Sequence, residues 1–492
     1  MTSNPVDPPA ASARLHGYQL AVGSLQGFIG SAVSLPTGIL TAAFLSRQLG
    51  PEQYGVLSVV CSLVLFVEIA ITLGFERAAV KLTAETVRWE AALGGVLRVQ
   101  LMASIAAALL VIAAAPLIAL WMKSGDIAFY LRIYAVGIPI AGLAKIHQAA
   151  LVGRGYFSIR AWLNGGYWVV RLVLVLVMVP VSPSVTAVII ANMTSAAVVL
   201  AVARIFVKPA IRSPHPEICL KRVWAVAGSL YFFTLCIHLS QAMDLVFVKA
   251  WTAADSAGFF AAAENLAIVP SLVAIALTPV LLSKLSHLLA GGGTDVAGRL
   301  LGYAIRFVVC LLPFAGMSAG AAGEIVRLVY GDRFLPAAPL LSVLIFGALG
   351  LTLTQVNASG LIAAGKTLFP LCFLGPLIPL AAVAHFFFIR EYGALGAAGV
   401  TAVISGFTAI GTGVAVSKTW RLLFQKSLWV YNLVLTAAAF SVAALWETAG
   451  VLLLVKLLLM SIGIVFALWI LGELSFFNPP GDTLPVWAGK RK

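Results

Sequence analysis

The residues best suited to chemistry are charged and polar side chains that interrupt apolar stretches of the sequence. Arg171 lies about ten residues into the apolar run 161–181. A second set recurs at intervals of four, three and three residues, which places its members on one helical face; it consists of Thr234, His238, Gln241 and Asp244. Where such runs cross a bilayer, a buried charge costs about 2.5–3.5 kcal/mol and normally faces a cavity or a partner. These residues are therefore candidates for binding an ion or a polar substrate.

Two interpretations of Arg171 follow from its depth. It lies near the middle of a run of about twenty residues, which is too deep for it to reach the lipid headgroups easily. It either forms a structural ion pair with Glu68 or lines a cavity. For Asp244, and for Glu264 in the next apolar run, the position favours a functional role over simple helix packing.

Other polar residues in apolar runs have plainer explanations. Gln355 and Asn357 either line a cavity or hold two helices together. His385 and Lys456 are deep, and neither has a charged neighbour in the sequence. Three more cations lie near the ends of their runs and are expected to reach the headgroups; they are Lys145, His147 and Arg306.

Enzyme chemistry has no candidate residues in this sequence. The stretch GLIAAGKT (360–367) satisfies the phosphate-loop pattern, but that loop needs a preceding buried strand inside an α/β domain, and here apolar runs lie on both sides. No H-E-x-x-H, G-x-S-x-G or paired metal-ligand spacing occurs. The five cysteines include no C-x-x-C pair and are interpreted as small buried hydrophobes. We therefore expect neither an enzyme nor a cofactor.

The composition indicates the class of protein to which these residues belong. Of the 492 residues, 61% are hydrophobic and only 10% are charged, against about 25% charged in soluble domains. An apolar exterior on this scale requires a bilayer. The net charge of +14 lies in short loops, so it indicates orientation in the membrane rather than binding to nucleic acid.

The predicted fold is an all-α polytopic membrane protein with about fourteen transmembrane helices, because fourteen apolar runs are long enough to cross about 30 Å of hydrocarbon. The runs are 21–45, 55–75, 91–120, 127–150, 161–181, 184–206, 223–249, 256–282, 299–322, 338–364, 367–389, 393–417, 428–447 and 450–472.

Lysine and arginine positions predict the topology and the domains. These residues collect in alternate loops, which predicts that both termini are cytoplasmic. The longest cationic loop contains three prolines in KPAIRSPHPE, so it is interpreted as a linker between two six-helix lobes. The predicted parts are a cytoplasmic tail (1–20), an N-lobe (21–206), the linker (207–222), a C-lobe (223–417), two accessory helices (428–472) and a cytoplasmic C-terminal tail (473–492).

A weak internal echo suggests that the two lobes are related. The stretch FLSRQLGPEQYG, Phe44 to Gly55, has a counterpart in FVKAWTAADSAG, Phe247 to Gly258. Both join one apolar helix to the next through a polar turn. The pattern is loose, so by itself it is a weak indication of two homologous halves.

Three stretches carry a resemblance to a known family. The segment LSRQLGPEQYGVLSVV (45–60) resembles the first signature of the Wzx-like bacterial polysaccharide flippases, in the multidrug/oligosaccharidyl-lipid/polysaccharide (MOP) exporter superfamily. Residues 257–286 look like the eighth span of that family, and EYGALGAAGVTAVIS (391–405) is similar to its eleventh-to-twelfth hairpin. These motifs consist of glycine, proline and small residues, so they identify the fold better than the substrate.

The resemblance implies two six-helix bundles that form a V around a cavity, followed by two accessory helices, in a bacterial inner membrane. The cargo it implies is an oligosaccharide linked through pyrophosphate to a polyprenol, carried from the cytoplasmic to the periplasmic leaflet. The implied partners are membrane lipids, a polysaccharide polymerase and a chain-length regulator, with no nucleic acid. The runner-up is a drug/cation exporter of the same superfamily, and an integral-membrane glycosyltransferase is a third alternative.

The resemblance also assigns expected roles to individual residues. A diphosphate requires compensating charge, for which arginine is well shaped. The expected substrate contacts are Arg47, Arg171, Lys249, Gln241, Asn265, Gln355 and Asn357. Without a nucleotide site, an ion gradient or consumption of the product must supply the energy. The expected ion-coupling residues are Glu68, His238, Asp244 and Glu264.

Overall fold

A computed structural model shows a helical protein, as the composition predicts. It describes residues 10–86, 88–209, 220–421 and 426–473, and only the backbone at 10–32, 220–230, 270, 273–277, 279 and 426. These residues form sixteen α-helices and two short 3₁₀ helices, and no β-strand occurs among them. Most of the predicted linker and C-terminal tail falls outside the described residues, whereas helix already begins within the predicted N-terminal tail.

The helices are numbered in chain order. They are α1 (Ala10–Glu85), α2 (Trp89–Trp121), α3 (Gly125–Ala135), α4 (Gly137–Gly153), α5 (Phe157–Val181), α6 (Val185–Phe206), α7 (Leu220–Trp251), α8 (Ser256–Ala267), α9 (Leu272–Ala290), α10 (Thr294–Val309), α11 (Leu312–Gly320), α12 (Ala322–Tyr330), α13 (Ala338–Ala363), α14 (Phe369–Trp420), α15 (Lys426–Leu445) and α16 (Leu452–Ile470). The 3₁₀ helices are Val269–Ser271 and Asp332–Ala337.

The predicted number of fourteen spans is not confirmed. Within the described ranges, ten helices are long and apolar enough to cross a membrane, or eleven if α3 and α4, bent by 41°, form one span. Two of the ten have 53 and 52 residues, about 80 Å at 1.5 Å per residue, which exceeds twice the thickness of the hydrocarbon. The predicted eighth span also differs, because it is divided between α8 and α9 by a 3₁₀ helix.

Each of the two longest helices contains one break at a glycine. Gly50 in α1 has φ 73°, and Gly393 in α14 has φ 58°. A side chain is disfavoured at such angles, whereas glycine adopts them readily. Pro51 follows Gly50 and has no N–H to donate to the preceding turn. The breaks lie between the predicted first and second spans and between the predicted eleventh and twelfth spans.

The chain divides into two compact units, Met1–Ala242 and Met243–Lys492. The division falls within α7, whereas the sequence places the boundary in the linker 207–222. In the N-terminal unit, α1 packs against α5, α4 and α2, and Leu93, Ile146 and Leu151 are among the fully buried core residues. In the C-terminal unit, α13 packs against α14, and α11 against α15.

Small residues bring α11 and α15 into backbone contact. Gly316 and Gly320 lie one turn apart on α11. A Cβ atom at Gly316 would overlap the carbonyl oxygen of Thr436, and one at Gly320 would overlap that of Phe440. Close backbone approach at glycine replaces the hydrophobic effect, which does not drive helices together inside lipid. These contacts attach the first accessory helix to the C-terminal unit.

An ion pair attaches the second accessory helix. Lys456 on α16 has a fully buried side chain, and its Nζ lies 2.8 Å from Glu324 Oε1 on α12 and donates to the Ala443 carbonyl at 2.8 Å. Glu324 also accepts hydrogen bonds from the backbone N–H and the hydroxyl of Thr448. Burial raises the pKa of Glu324, but the hydrogen bonds from Lys456 and Thr448 outweigh it, and the pKa is lowered. The deep lysine that lacks a charged neighbour in sequence therefore has one in space.

The glycine contact yields a stability prediction. Gly320→Ala should lower the free energy of unfolding by about 1–3 kcal/mol, because the added Cβ atom forces the backbones of α11 and α15 apart. The matched control is Gly463→Ala on α16, where nothing lies within 4 Å of the added atom. Equilibrium unfolding in mixed micelles measures both changes. Equal stability of the two variants would contradict the contact.

The ion pair yields a second stability prediction. Glu324→Gln should cost about 3 kcal/mol, because it leaves the Lys456 ammonium buried without its counter-charge, whereas the double variant Glu324→Gln/Lys456→Met should recover most of the loss.

Acid should act in the same direction as Glu324→Gln. The folded-state pKa of Glu324 lies below its ordinary value of 4.5, so the stabilisation is fully present above that value and is lost as the pH falls through the folded-state pKa. Unfolding free energies of the wild type and the single variant Glu324→Gln, measured from neutral to about pH 3, should converge at the acid end. A constant difference between them across that range would refute the assignment.

Candidate functional site

Arg171 on α5 is held so that part of its guanidinium group remains available. Its Nε donates to Asn192 Oδ1 on α6 at 2.7 Å, and its guanidinium carbon lies 5.3 Å from the ring centroid of Trp168. Neither terminal amine has a hydrogen-bond acceptor among the described residues, and the side chain is half-buried. The guanidinium is thus fixed through Nε, while two planar NH₂ groups remain to bind an anion in a bidentate manner.

Further polar side chains surround this arginine. Asn192 Nδ2 lies 3.4 Å from the hydroxyl of Tyr134 and 3.9 Å from Cys61 Sγ. Arg171 also interacts electrostatically with Tyr167, one turn earlier on α5. We call the following set the N-terminal polar cluster: Arg171, Asn192, Tyr134, Tyr167, Cys61, Glu68 and Lys145. It draws on α1, α3, α4, α5 and α6, all within the N-terminal unit.

The partner of Glu68 differs from the one considered in the sequence. Its Oε2 lies 3.3 Å from the Nζ of Lys145 on α4, so the carboxylate pairs with this lysine rather than with Arg171. Lys145 was expected to reach the headgroups, but the fold turns it toward α1. The two residues are 77 positions apart, and no local pattern connects them.

A second buried cluster lies in the C-terminal unit around Asp244. Its Oδ1 accepts a hydrogen bond from His385 Nε2 at 2.8 Å, and its Oδ2 accepts one from the Thr401 hydroxyl at 2.6 Å. His385 and Asp244 are both almost completely buried, whereas Glu264 on α8 is half-buried and interacts electrostatically with Asp244. We call Asp244, His385, Thr401 and Glu264 the C-terminal acidic cluster.

The hydrogen bonds of this second cluster fix the orientation of His385. Because a carboxylate only accepts, Nε2 of His385 carries hydrogen, and its buried Nδ1 has no hydrogen-bond partner among the described residues. In the described part of the chain, no group of three or more His, Cys, Asp or Glu side chains is placed to hold a metal ion.

The other predicted site residues are distributed along several helices. Lys249 is buried and donates to the Ala254 carbonyl at 3.2 Å. The rest differ in exposure: Arg47 and Asn265 are exposed, and His238, Gln241 and Gln355 are half-buried.

Asn357 holds two helices together beside an apolar cavity. Its Nδ2 donates to the Ala409 carbonyl at 3.3 Å and to the Thr412 hydroxyl at 3.2 Å, which ties α13 to α14. The residue also lines a cavity of about 480 Å³, whose other lining residues include Leu353, Ile410 and Trp429. Both alternatives considered for this residue therefore apply, although an apolar wall is unsuited to sugar hydroxyl groups.

Sequence reasoning missed several residues of the two clusters. Asn192, Tyr134, Thr401 and His385 were not assigned a function, because an amide, a phenol, a hydroxyl or a lone imidazole on a membrane helix is usually a packing contact. One signal was present for His385, since its depth is unusual for an ionisable residue. The other three acquire significance only from their distance to Arg171 or Asp244.

Comparison with known proteins agrees with this architecture. A family model described as polysaccharide biosynthesis protein matches residues 44–339. No curated protein sequence matches the chain.

Solved structures share the fold at low sequence identity. The chain is similar to the lipid II flippase MurJ in an inward closed conformation, with a TM-score of 0.72 and 14% identity over 93% of this chain and 98% of that chain. It is also similar to an inward-facing multidrug resistance MATE family transporter of the MOP superfamily, with a TM-score of 0.66 and 13% identity over 84% and 99% of the two chains. A third similar structure is a MOP superfamily transporter from Pyrococcus furiosus, with a TM-score of 0.58 and 14% identity over 86% of this chain and 96% of that chain. The chain therefore belongs to the polysaccharide biosynthesis protein family, and it has the fold of the MOP superfamily.

Proposed function

We propose that this protein is a flippase that moves a polyprenyl-pyrophosphate-linked oligosaccharide from the cytoplasmic to the periplasmic leaflet of the bacterial inner membrane by alternating access. The observation that carries the proposal is Arg171, a guanidinium in a membrane helix whose Nε is fixed by Asn192 and whose terminal amines are available. A diphosphate loses its water on entering the membrane, and charge-assisted bidentate hydrogen bonds compensate that loss.

The comparisons support this class of cargo. The family is described as polysaccharide biosynthesis protein, and MurJ, which has the same fold, is a flippase of lipid II. We propose that the sugars contact Gln241, Asn265 and Gln355, with Arg47 and Lys249 as additional cations. A polymerase and a chain-length regulator are the proposed partners, because the translocated unit becomes a substrate for polymerisation. Both termini are proposed to be cytoplasmic.

For the energy source, we propose coupling to a cation gradient. The expected residues are Glu68, His238, Asp244 and Glu264, and Asp244 is supported by its burial beside Glu264 and by the His385 Nε2 atom 2.8 Å from its carboxylate. The acidic cluster and the arginine lie in different units.

The second candidate is a cation-coupled drug exporter like the MATE family. Two interacting carboxylates, Asp244 and Glu264, favour it, because organic cations bind to buried acids. Both oxygens of Asp244 are already hydrogen-bonded, however, which leaves them less available to an organic cation. Efflux of ethidium by proteoliposomes, reduced by Asp244→Asn, would select this candidate instead.

Arg171 provides the direct test of the flippase. Arg171→Ala should reduce transport of a fluorescent diphosphate-linked oligosaccharide into proteoliposomes by at least about 100-fold, because it removes one buried charge-assisted pair. Arg171→Lys should retain only part of the transport rate, because a lysine cannot bind a phosphate in a bidentate manner. In cells, Arg171→Ala should leave lipid-linked oligosaccharide on the inner leaflet.

The matched control for this test is Arg132→Ala, which removes the same charge from an exposed position on α3. If both variants insert normally and Arg171→Ala transports the cargo as fast as Arg132→Ala does, the proposal loses its basis.

Ion coupling is tested by neutralising the acidic cluster. In vesicles with an imposed proton or sodium gradient, Asp244→Asn/Glu264→Gln should lose the acceleration produced by the gradient, because neither carboxylate of the C-terminal acidic cluster remains to carry the cation. Equilibrium exchange of cargo should persist, since Arg171 is unchanged. Full gradient-driven transport by the double variant would contradict the assignment.

A further inference from the structure

The ion pair of Glu68 and Lys145 lies within the cluster proposed to hold the cargo, yet the proposed function does not explain it. Nζ and Oε2 are 3.3 Å apart, and the lysine side chain is 31% exposed whereas that of the glutamate is 10% exposed. Lys145 has no other hydrogen bond to the described residues. An ammonium group with three protons and one acceptor is available for a stronger anion.

The second cation of this cluster is near the first. Tyr134 and Tyr167 each interact electrostatically with both Glu68 and Arg171. The guanidinium and the Lys145–Glu68 pair also share a helix: Asn192, which binds Arg171, lies 3.9 Å from Cys61 Sγ, and Cys61 precedes Glu68 by about two helical turns on α1. A diphosphate is long enough to engage more than one cationic group, and its phosphates are the kind of anion that arginine and lysine bind.

The charges of the cluster decide what happens when such an anion enters. In the absence of cargo, Arg171 and Lys145 contribute two positive charges and Glu68 one negative charge. A diphosphate diester brings two negative charges, which match the two cations and leave the glutamate uncompensated. A buried carboxylate that has lost its partner is expensive in free energy, and protonation removes that cost.

We propose, on the basis of the proposed function, that Glu68 is a counter-ion displaced by the cargo. The diphosphate forms an ion pair with Lys145 in place of Glu68, and Glu68 binds one proton as the cargo binds. The bond that forms is O–H on the glutamate, the proton comes from the aqueous phase, and the Lys145–Glu68 hydrogen bond is exchanged for one to a phosphate oxygen. Release of the cargo reverses these changes. The glutamate is thereby assigned to substrate-linked proton uptake.

Several titratable groups interact electrostatically with Glu68 or with Lys145. They are Tyr134 on α3, Tyr167 on α5, Cys61 and Glu76 on α1, and His238 on α7, whereas Arg171 interacts with Cys61, Tyr134 and Tyr167. On α2, Gln100 donates to the Thr72 hydroxyl of α1 and to Ser104, and none of these three residues is charged. Histidine ordinarily titrates near neutral pH, so the proton count of Glu68→Gln, in which His238 is intact, distinguishes the two groups.

The sign of the pH dependence follows from the proton uptake. Because the complex holds one proton more than the empty protein, the affinity for the diphosphate should fall as the pH rises, by about tenfold per pH unit where Glu68 is ionised in the empty state. In Glu68→Gln the side chain at position 68 is neutral at every pH, so the affinity should not depend on pH. At about pH 8 this variant should bind at least about tenfold more tightly than the wild type.

The test is titration calorimetry of the full chain in nanodiscs with synthetic farnesyl-diphospho-glucose, a diester that does not itself titrate in this range. The binding enthalpy is measured in buffers of different ionisation enthalpy, and its dependence on that enthalpy gives the number of protons taken up per ligand. The wild type and the control Glu76→Gln should each take up about one proton per ligand, and Glu68→Gln none. Lys145→Met should weaken binding by about tenfold or more, the loss of one charge-assisted hydrogen bond.

The outcomes separate this inference from the function on which it rests. Diester binding without proton uptake by the wild type, or with the same uptake by Glu68→Gln, would overturn the role of Glu68 while leaving the flippase standing. Absence of diester binding by folded wild-type protein would overturn both. If Glu68→Gln does not fold, the proton count of the wild type, compared with that of Glu76→Gln, still decides the question.

Discussion

A charge inside hydrocarbon costs several kcal/mol unless a nearby group compensates it, and the buried polar residues of this protein are arranged accordingly. Each pair joins helices that are distant in sequence; the pairs are Lys456 with Glu324, Lys145 with Glu68 and His385 with Asp244. Arg171 follows a different pattern, because its acceptor is the neutral amide of Asn192. No carboxylate among the described residues pairs with this guanidinium, and in the proposed function the anionic cargo supplies the counter-charge.

The two polar clusters differ in sign as well as in position. The N-terminal polar cluster contains two cations and one carboxylate, whereas the C-terminal acidic cluster contains two carboxylates and one imidazole. Each is complete within its own unit, so the chemistry of each can be altered without dismantling the other. This arrangement suits a transporter whose cargo and driving ion have opposite charges.

Most of the fold could be predicted from the sequence, and the sites only in part. Apolar runs predict helices because a bilayer requires internally satisfied backbones, and the segments near Gly50 and Gly393 were recognised as breaks. The division of the predicted eighth span was missed, because hydropathy does not register a 3₁₀ helix. Arg171 and Asp244 were identifiable from the cost of their burial alone. Their partners were not, since the pairing of Asp244 with Thr401 spans 157 residues and depends on how helices pack.

The buried lysine of α16 also has a consequence for how this chain can change over evolution. Because Lys456 and Glu324 neutralise each other across 132 residues, a mutation of either one alone strands the other, and the intermediate is selected against. Descendant sequences should therefore keep both residues or replace both, most readily by an apolar pair of similar volume. Covariation at these two positions would show that the ion pair that attaches α16 has been maintained during evolution.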